Sequence, residues 1–126
     1  MLNNKNYDRK RKFIQELNEA FAKGNVPFIL DCMADDIVWE MVGANTNRGK
    51  VEIEKEMSSM KDIEMLEMKV DKIITHGKLA SANGHFRMKE KGQEKAYSFC
   101  DIYEFNGFKD QKISKMTSYV IPLKEK

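Results

Sequence analysis

Scarcity comes first: two cysteines, two prolines, two histidines and one tryptophan in 126 residues close off several classes of protein. Cys32 and Cys100, with no export signal in Met1-Leu2-Asn3-Asn4-Lys5, do not make a disulfide scaffold, and a reduced, cytoplasmic chain is expected. The cysteines and histidines fall at positions 32, 76, 85 and 100, without metal-ligand spacing, so no metal or other cofactor is expected. No window approaches the roughly 18 apolar residues of a membrane-spanning helix, so a membrane is not an expected partner. The glycines form neither a phosphate-binding loop nor a Gly-x-Ser-x-Gly nucleophile elbow. A net charge of +2 is too small to imply nucleic acid, and the one basic run, Arg9-Lys10-Arg11-Lys12, is read as a solvated face.

What is present is ordinary for a globular protein: 41% hydrophobic and 33% charged residues, enough for one domain spanning residues 1–126 with a core over about 8–122. The first half has helical periodicity. Phe13, Ile14, Leu17, Ala20 and Phe21 share one face of a helix running from an Asp8 cap to Lys23, stopped by Gly24-Asn25. Pro27 fits the first turn of a short second helix that turns Val26, Ile29, Leu30 and Met33 inward. Ile37 to Val42 alternates as a strand, and after a Gly43–Arg48 loop a third helix begins near Gly49 with Ile53, Met57 and Met60 as its buried stripe.

The second half alternates with period two. Four strands are predicted over Glu64–Thr75, Lys78–Lys89, Lys95–Phe105 and Lys112–Leu123, with turns at His76-Gly77, Lys91-Gly92 and Asn106-Gly107. In the first, Leu66, Met68, Val70, Lys72 and Ile74 are expected on one face and Met65, Glu67, Lys69, Asp71 and Ile73 on the other. The third puts Tyr97, Phe99, Asp101, Tyr103 and Phe105 on one face and Ala96, Ser98, Cys100 and Ile102 on the other. An acid among four rings is costly to bury, which makes Asp101 the first candidate for function. Helices followed by strands define an α+β domain: a curved, mostly antiparallel sheet wrapped on three helices, its outer face open to a partner subunit and its concavity suited to a ligand.

That order of elements resembles a known superfamily: Ala34-Asp35-Asp36 before Trp39, Arg48-Gly49 before the third helix, and Asp101 followed by Phe105-Asn106-Gly107. It is similar to the nuclear transport factor 2-like (cystatin-like) cone, in the branch of the SnoaL-like polyketide cyclases and ketosteroid isomerase, over roughly Lys12 to Val120. The resemblance implies a pocket in the cone and, in the isomerase, a carboxylate base with a tyrosine and a protonated aspartic acid as oxyanion donors. Aligned residue by residue, Asp101 falls on the oxyanion acid, Leu17 on the tyrosine and Met41 on the base. Leucine donates no hydrogen bond and methionine takes no proton, so the isomerase mechanism is not implied here. The cyclase branch often places a His or Asp after a Lys-Ile pair in the last strand. Here Lys112-Ile113 leads into Ser114-Lys115-Met116-Thr117-Ser118, without either.

The leading expectation is therefore a SnoaL-like domain, homodimeric through its outer sheet face, that binds a small apolar or aromatic molecule. Leu17, Trp39, Met41, Tyr97, Phe99 and Tyr103 are expected to line its pocket, with Asp101 orienting the ligand. Any catalysis would be isomerase- or cyclase-type proton transfer, with Asp101 as acid and His85, on the neighbouring strand, as base. The alternative is a non-catalytic interaction or assembly module of the same fold, with Leu17, Trp39, Met41 and Phe99 packed into a filled cone. A cavity of about 300 Å³ or more separates the two.

Overall fold

The computed structural model describes residues 2–107 and 112–124. Three helices, α1 (Leu2–Lys23), α2 (Val26–Asp31) and α3 (Gly49–Ser59), accompany six strands: β1 (Met33–Met41), β2 (Thr46–Arg48), β3 (Glu64–His76), β4 (Leu79–Glu90), β5 (Gln93–Phe105) and β6 (Ile113–Pro122). The strands form one curved, open sheet in the order β2-β1-β6-β5-β4-β3. Only β1 and β6 run parallel; every other neighbouring pair is antiparallel. This is the α+β cone that the sequence leads one to expect.

Local chemistry explains the helix ends. Gly24, at φ +70°, takes the left-handed position after α1; the amides of Gly24 and Asn25 return to the carbonyls of Phe21 and Ala20 at 3.3 and 2.9 Å. Asn25 then caps α2 through its Oδ1, which accepts from the Phe28 amide at 3.3 Å. At α3 the Glu52 carboxylate accepts from the Arg48 amide. Helix α1 starts at Leu2, ahead of the predicted Asp8 cap, and Met33 belongs to β1 rather than to α2. The predicted Gly43–Arg48 loop contains β2, whose Asn47 is buried and donates to Glu56 Oε1 at 3.1 Å.

Ile14, Leu17 and Ala20 of α1 pack with Ile29, Ile37, Ile53, Tyr103, Phe105, Ile113 and Met116 into one core. The faces of β3 differ from strict alternation. Its register against β4 shifts between Met65 and Glu67 and again between Val70 and Lys72. Each irregularity inverts the parity: Met65, expected opposite Met68, lines the cavity with it, and Ile74, expected beside Met68 and Val70, is 64% exposed while Ile73 is buried. The bend lies beside Gly84, whose backbone approaches β3 so closely that a Cβ there would lie 1.9 Å from the Lys69 carbonyl oxygen. At the turn expected over Asn106-Gly107, Asn106 and Lys112 exchange two hydrogen bonds of 3.0 Å; residues 108–111 lie outside the described residues.

Candidate functional site

Between the inner face of the sheet and residues of α1, α2 and α3 lies a cavity of about 840 Å³. Seven of the nine methionines line it, from Met41 on β1 to Met116 on β6. Rings stand among them: Phe86 lies stacked on Tyr97 with centroids 5.1 Å apart, and Phe99 is tilted against Phe86 at 6.0 Å. Unbranched, polarizable thioethers beside rings give a wall that can repack around differently shaped apolar bodies.

Five polar side chains form a connected floor. Asn18, buried on α1, donates from Nδ2 to the Ile14 carbonyl at 2.9 Å and to Tyr103 Oη at 3.3 Å. Tyr103 donates its hydroxyl to Asp101 Oδ2 at 3.3 Å. From the other side Trp39 Nε1 donates to Ser118 Oγ at 2.9 Å, and the Ser118 hydroxyl bonds to the Asp101 carboxylate. Apart from the bond from Asn18 to Ile14, the donors run toward Asp101, so the carboxylate is held as an acceptor while it also lines the cavity. Burial pushes the Asp101 carboxyl up to about 6, against the hydrogen bonds from Ser118 and Tyr103, which favour the charged form. Burial also raises the Tyr103 phenol, helped by the Asp101 charge and opposed by Asn18, so Tyr103 stays a donor.

Of the residues singled out from sequence, Trp39, Met41, Tyr97, Phe99 and Asp101 line the cavity. Leu17 and Tyr103 do not; both are fully buried beneath it. Successive helical residues point about 100° apart, and it is Asn18, one position on from Leu17, that faces the cavity. The expected pairing of His85 with Asp101 is corrected. Asp101 stands between Ala82 and Ser118, whereas His85 pairs with Ser98 on the outer face, its Nδ1 3.6 Å from Asp71 Oδ2. Side chains three positions apart on a strand point to opposite faces, and that parity holds through the unbroken β4–β5 register. Asn18 and Ser118 were missed because an asparagine on a helix and a serine in a strand are commonplace until tertiary packing brings them to one carboxylate.

The basic run at Arg9–Lys12 is partly consumed in packing. Lys10 is buried with its Nζ on the Gly77 carbonyl and 5.0 Å above the Phe105 ring, and Arg11 donates to the Ile73 carbonyl at 3.2 Å. Among the described residues no helix is long and apolar enough to cross a membrane.

A cone of helices under a curved six-stranded sheet, with a polar floor inside it, is the nuclear transport factor 2-like architecture. The SnoaL-like domain family matches residues 14–116, and the chain belongs to it. A nuclear transport factor 2-like protein of unknown function from Cytophaga hutchinsonii is 25% identical, with a TM-score of 0.68 over 87% of this chain and 97% of its own. A ketosteroid isomerase-like protein from Erwinia carotovora atroseptica is 13% identical, with a TM-score of 0.69 over 88% and 92%. An LEH-like epoxide hydrolase from M. tuberculosis is 16% identical, with a TM-score of 0.74 over 86% and 80%. At such identities the last two likenesses speak for the fold alone. No curated protein matches the chain by sequence.

Proposed function

We propose that residues 1–126 act as a single domain that binds one small, largely apolar molecule in the cone, oriented by a hydrogen bond to Asp101. The observation that carries this reading is an apolar cavity of about 840 Å³ with one carboxylate on its floor. The volume lies within the usual range of small-molecule sites and well above what a filled interaction module would leave. Asp101 is the one carboxylate lining that cavity among the described residues. If turnover accompanies binding, Asp101 is therefore the group that would take or give the proton. A carboxyl near 6 is suited to both, though neither Leu17 nor Met41 can assist as the isomerase comparison requires.

Thermal shift with steroids, polyketide-like phenols and fatty acids, on wild type and Asp101→Asn, tests the reading. A ligand at 100 times its dissociation constant should add about 2.7 kcal/mol, a rise of several degrees for a domain of this size. A shift weakened in the variant is the expected result; no shift with any compound moves the assembly-module reading to the front. The outer sheet face supports a homodimer as part of the same proposal, because Ile74, Ile102, Tyr119 and Ile121 are exposed together there. Sedimentation should give twice the monomer mass, and Ile121→Lys should return it to monomer.

A further inference from the structure

The polar floor holds more specific information than its polarity. Every protein group bonded to Asp101 is a donor: Tyr103 from the same strand and Ser118 from β6. Both are neutral. Among the described residues no lysine, arginine or histidine stands within ion-pairing distance of this carboxylate. Buried acids are ordinarily matched by a cation, and this one is matched only by hydroxyls. Its remaining lone pairs open onto a space walled by Trp39, Phe86, Tyr97 and Phe99, all of which line the same cavity as the acid. Ring faces are electron-rich and attract cations, most strongly where water is excluded. From this geometry we infer that the ligand's polar end is a cation: a protonated amine on an apolar, aromatic-sized body, its N–H groups donating to Asp101 and its charge held among the rings.

This rests on the binding reading above and narrows it. Two opposing charges enter the balance. Lys23 and Lys61 also line the cavity, but both are solvent-exposed, so water and salt screen their repulsion. Asp101, behind the rings and thioethers, acts through a medium of lower permittivity and governs the choice. The groups facing Asp101 are Tyr103, Ser118 and, across the β4 pairing, Ala82; Asn18 from α1 reaches it through Tyr103. None of these supplies a positive charge at neutral pH. A carboxyl pushed up to about 6 is ionised when a primary amine is still protonated, leaving a window from near neutrality upward in which both partners carry their charge.

The test uses three probes that share one body: naphthylmethylamine, naphthylmethanol and naphthoic acid, titrated calorimetrically against the whole chain. The expected result at pH 7.5 is an amine dissociation constant at least about tenfold lower than the alcohol's, with the acid weakest of the three. Asp101→Asn should abolish the amine's advantage, bringing its dissociation constant within about threefold of the alcohol's in the same variant, with a cooperative urea-unfolding transition reporting that the variant is folded. The wild type supplies an independent readout should the variant fail to fold. Amine affinity should fall as pH drops through about 6, where Asp101 takes up its proton, and alcohol affinity should stay flat. Equal binding of amine and alcohol, tighter binding of the acid, or an amine preference that survives Asp101→Asn would each overturn the cation inference and leave the cavity's binding role standing. Binding of none of the three would count against both.

Discussion

Strand β5 carries one row of side chains through two environments. Toward its C-terminal end Tyr103 and Phe105 lie under α1, where Phe13 meets Phe105 edge-on at 5.7 Å and Lys10 covers the same ring. Toward its N-terminal end Tyr97 and Phe99 face the cavity, among methionines from α3 and from the strands. The row is equally apolar in both halves; what differs is that one half is packed directly against α1 and the other faces the cavity. At the packed end even cations are recruited to close the structure, Lys10 onto the Gly77 carbonyl and Arg11 onto the Ile73 carbonyl. At the open end the one charged group on the row, Asp101, is left facing the cavity with only hydroxyl partners. The same alternating pattern is thus a core at one end and a binding site at the other, and Asp101 stands at the border between them.

The sharpest way to break that comparison is at the packed end. Phe105→Ala should cost about 3–5 kcal/mol in urea unfolding, because the ring is buried between α1 and the sheet, while leaving the affinity of any cavity ligand unchanged. Next comes the bend that separates the two ends. Gly84→Ala should cost about 2–3 kcal/mol and weaken ligand binding as well, since a methyl group there collides with the β3 backbone and the strands must part.

At the open end the effect has the opposite sign. The folded Asp101 carboxyl sits near 6, above its unfolded value, so its contribution to stability is complete at acid pH and is lost as pH rises through about 4 to 6. Asp101→Asn should therefore match wild type at acid pH and exceed it by on the order of 2 kcal/mol at pH 7, read as the difference between two urea-unfolding series. An equal difference at every pH would mean that the carboxyl titrates alike in both states. The smallest expected change is Lys10→Met, which keeps the stem over Phe105 and removes the bonded ammonium. It should cost about 1 kcal/mol and leave the cavity unaffected.

Much of this contrast is written in the chain. The alternation from Tyr97 to Phe105 is unbroken, and β5 keeps a regular register with β4 throughout, so Asp101's place among the rings could be read directly. In β3 the same reasoning fails after Val70, because a register irregularity is a negotiation between two strands: Ile73 and Ile74 are chemically alike, and only the shifted pairing with β4 decides which is buried. His85 misled for a related reason. Adjacency of strands is not adjacency of faces, and the hairpin at Lys91-Gly92 sets Ser98, not Asp101, opposite it. On α1 the alignment chose Leu17, while the helix's rotation brings Asn18 to the cavity.

The amino-acid sequence by itself determined the element order, the α+β class and the presence of an acid on an aromatic row, because these follow from periodicities that each segment carries within itself. Only the tertiary structure decided that the row is packed below Asp101 and open above it. It also brought Asn18, Tyr103, Ser118 and Trp39 from four separate elements to one carboxylate network. Those outcomes depend on where α1 stops against the sheet and how β3 bends beside Gly84, distances between segments that no single segment encodes.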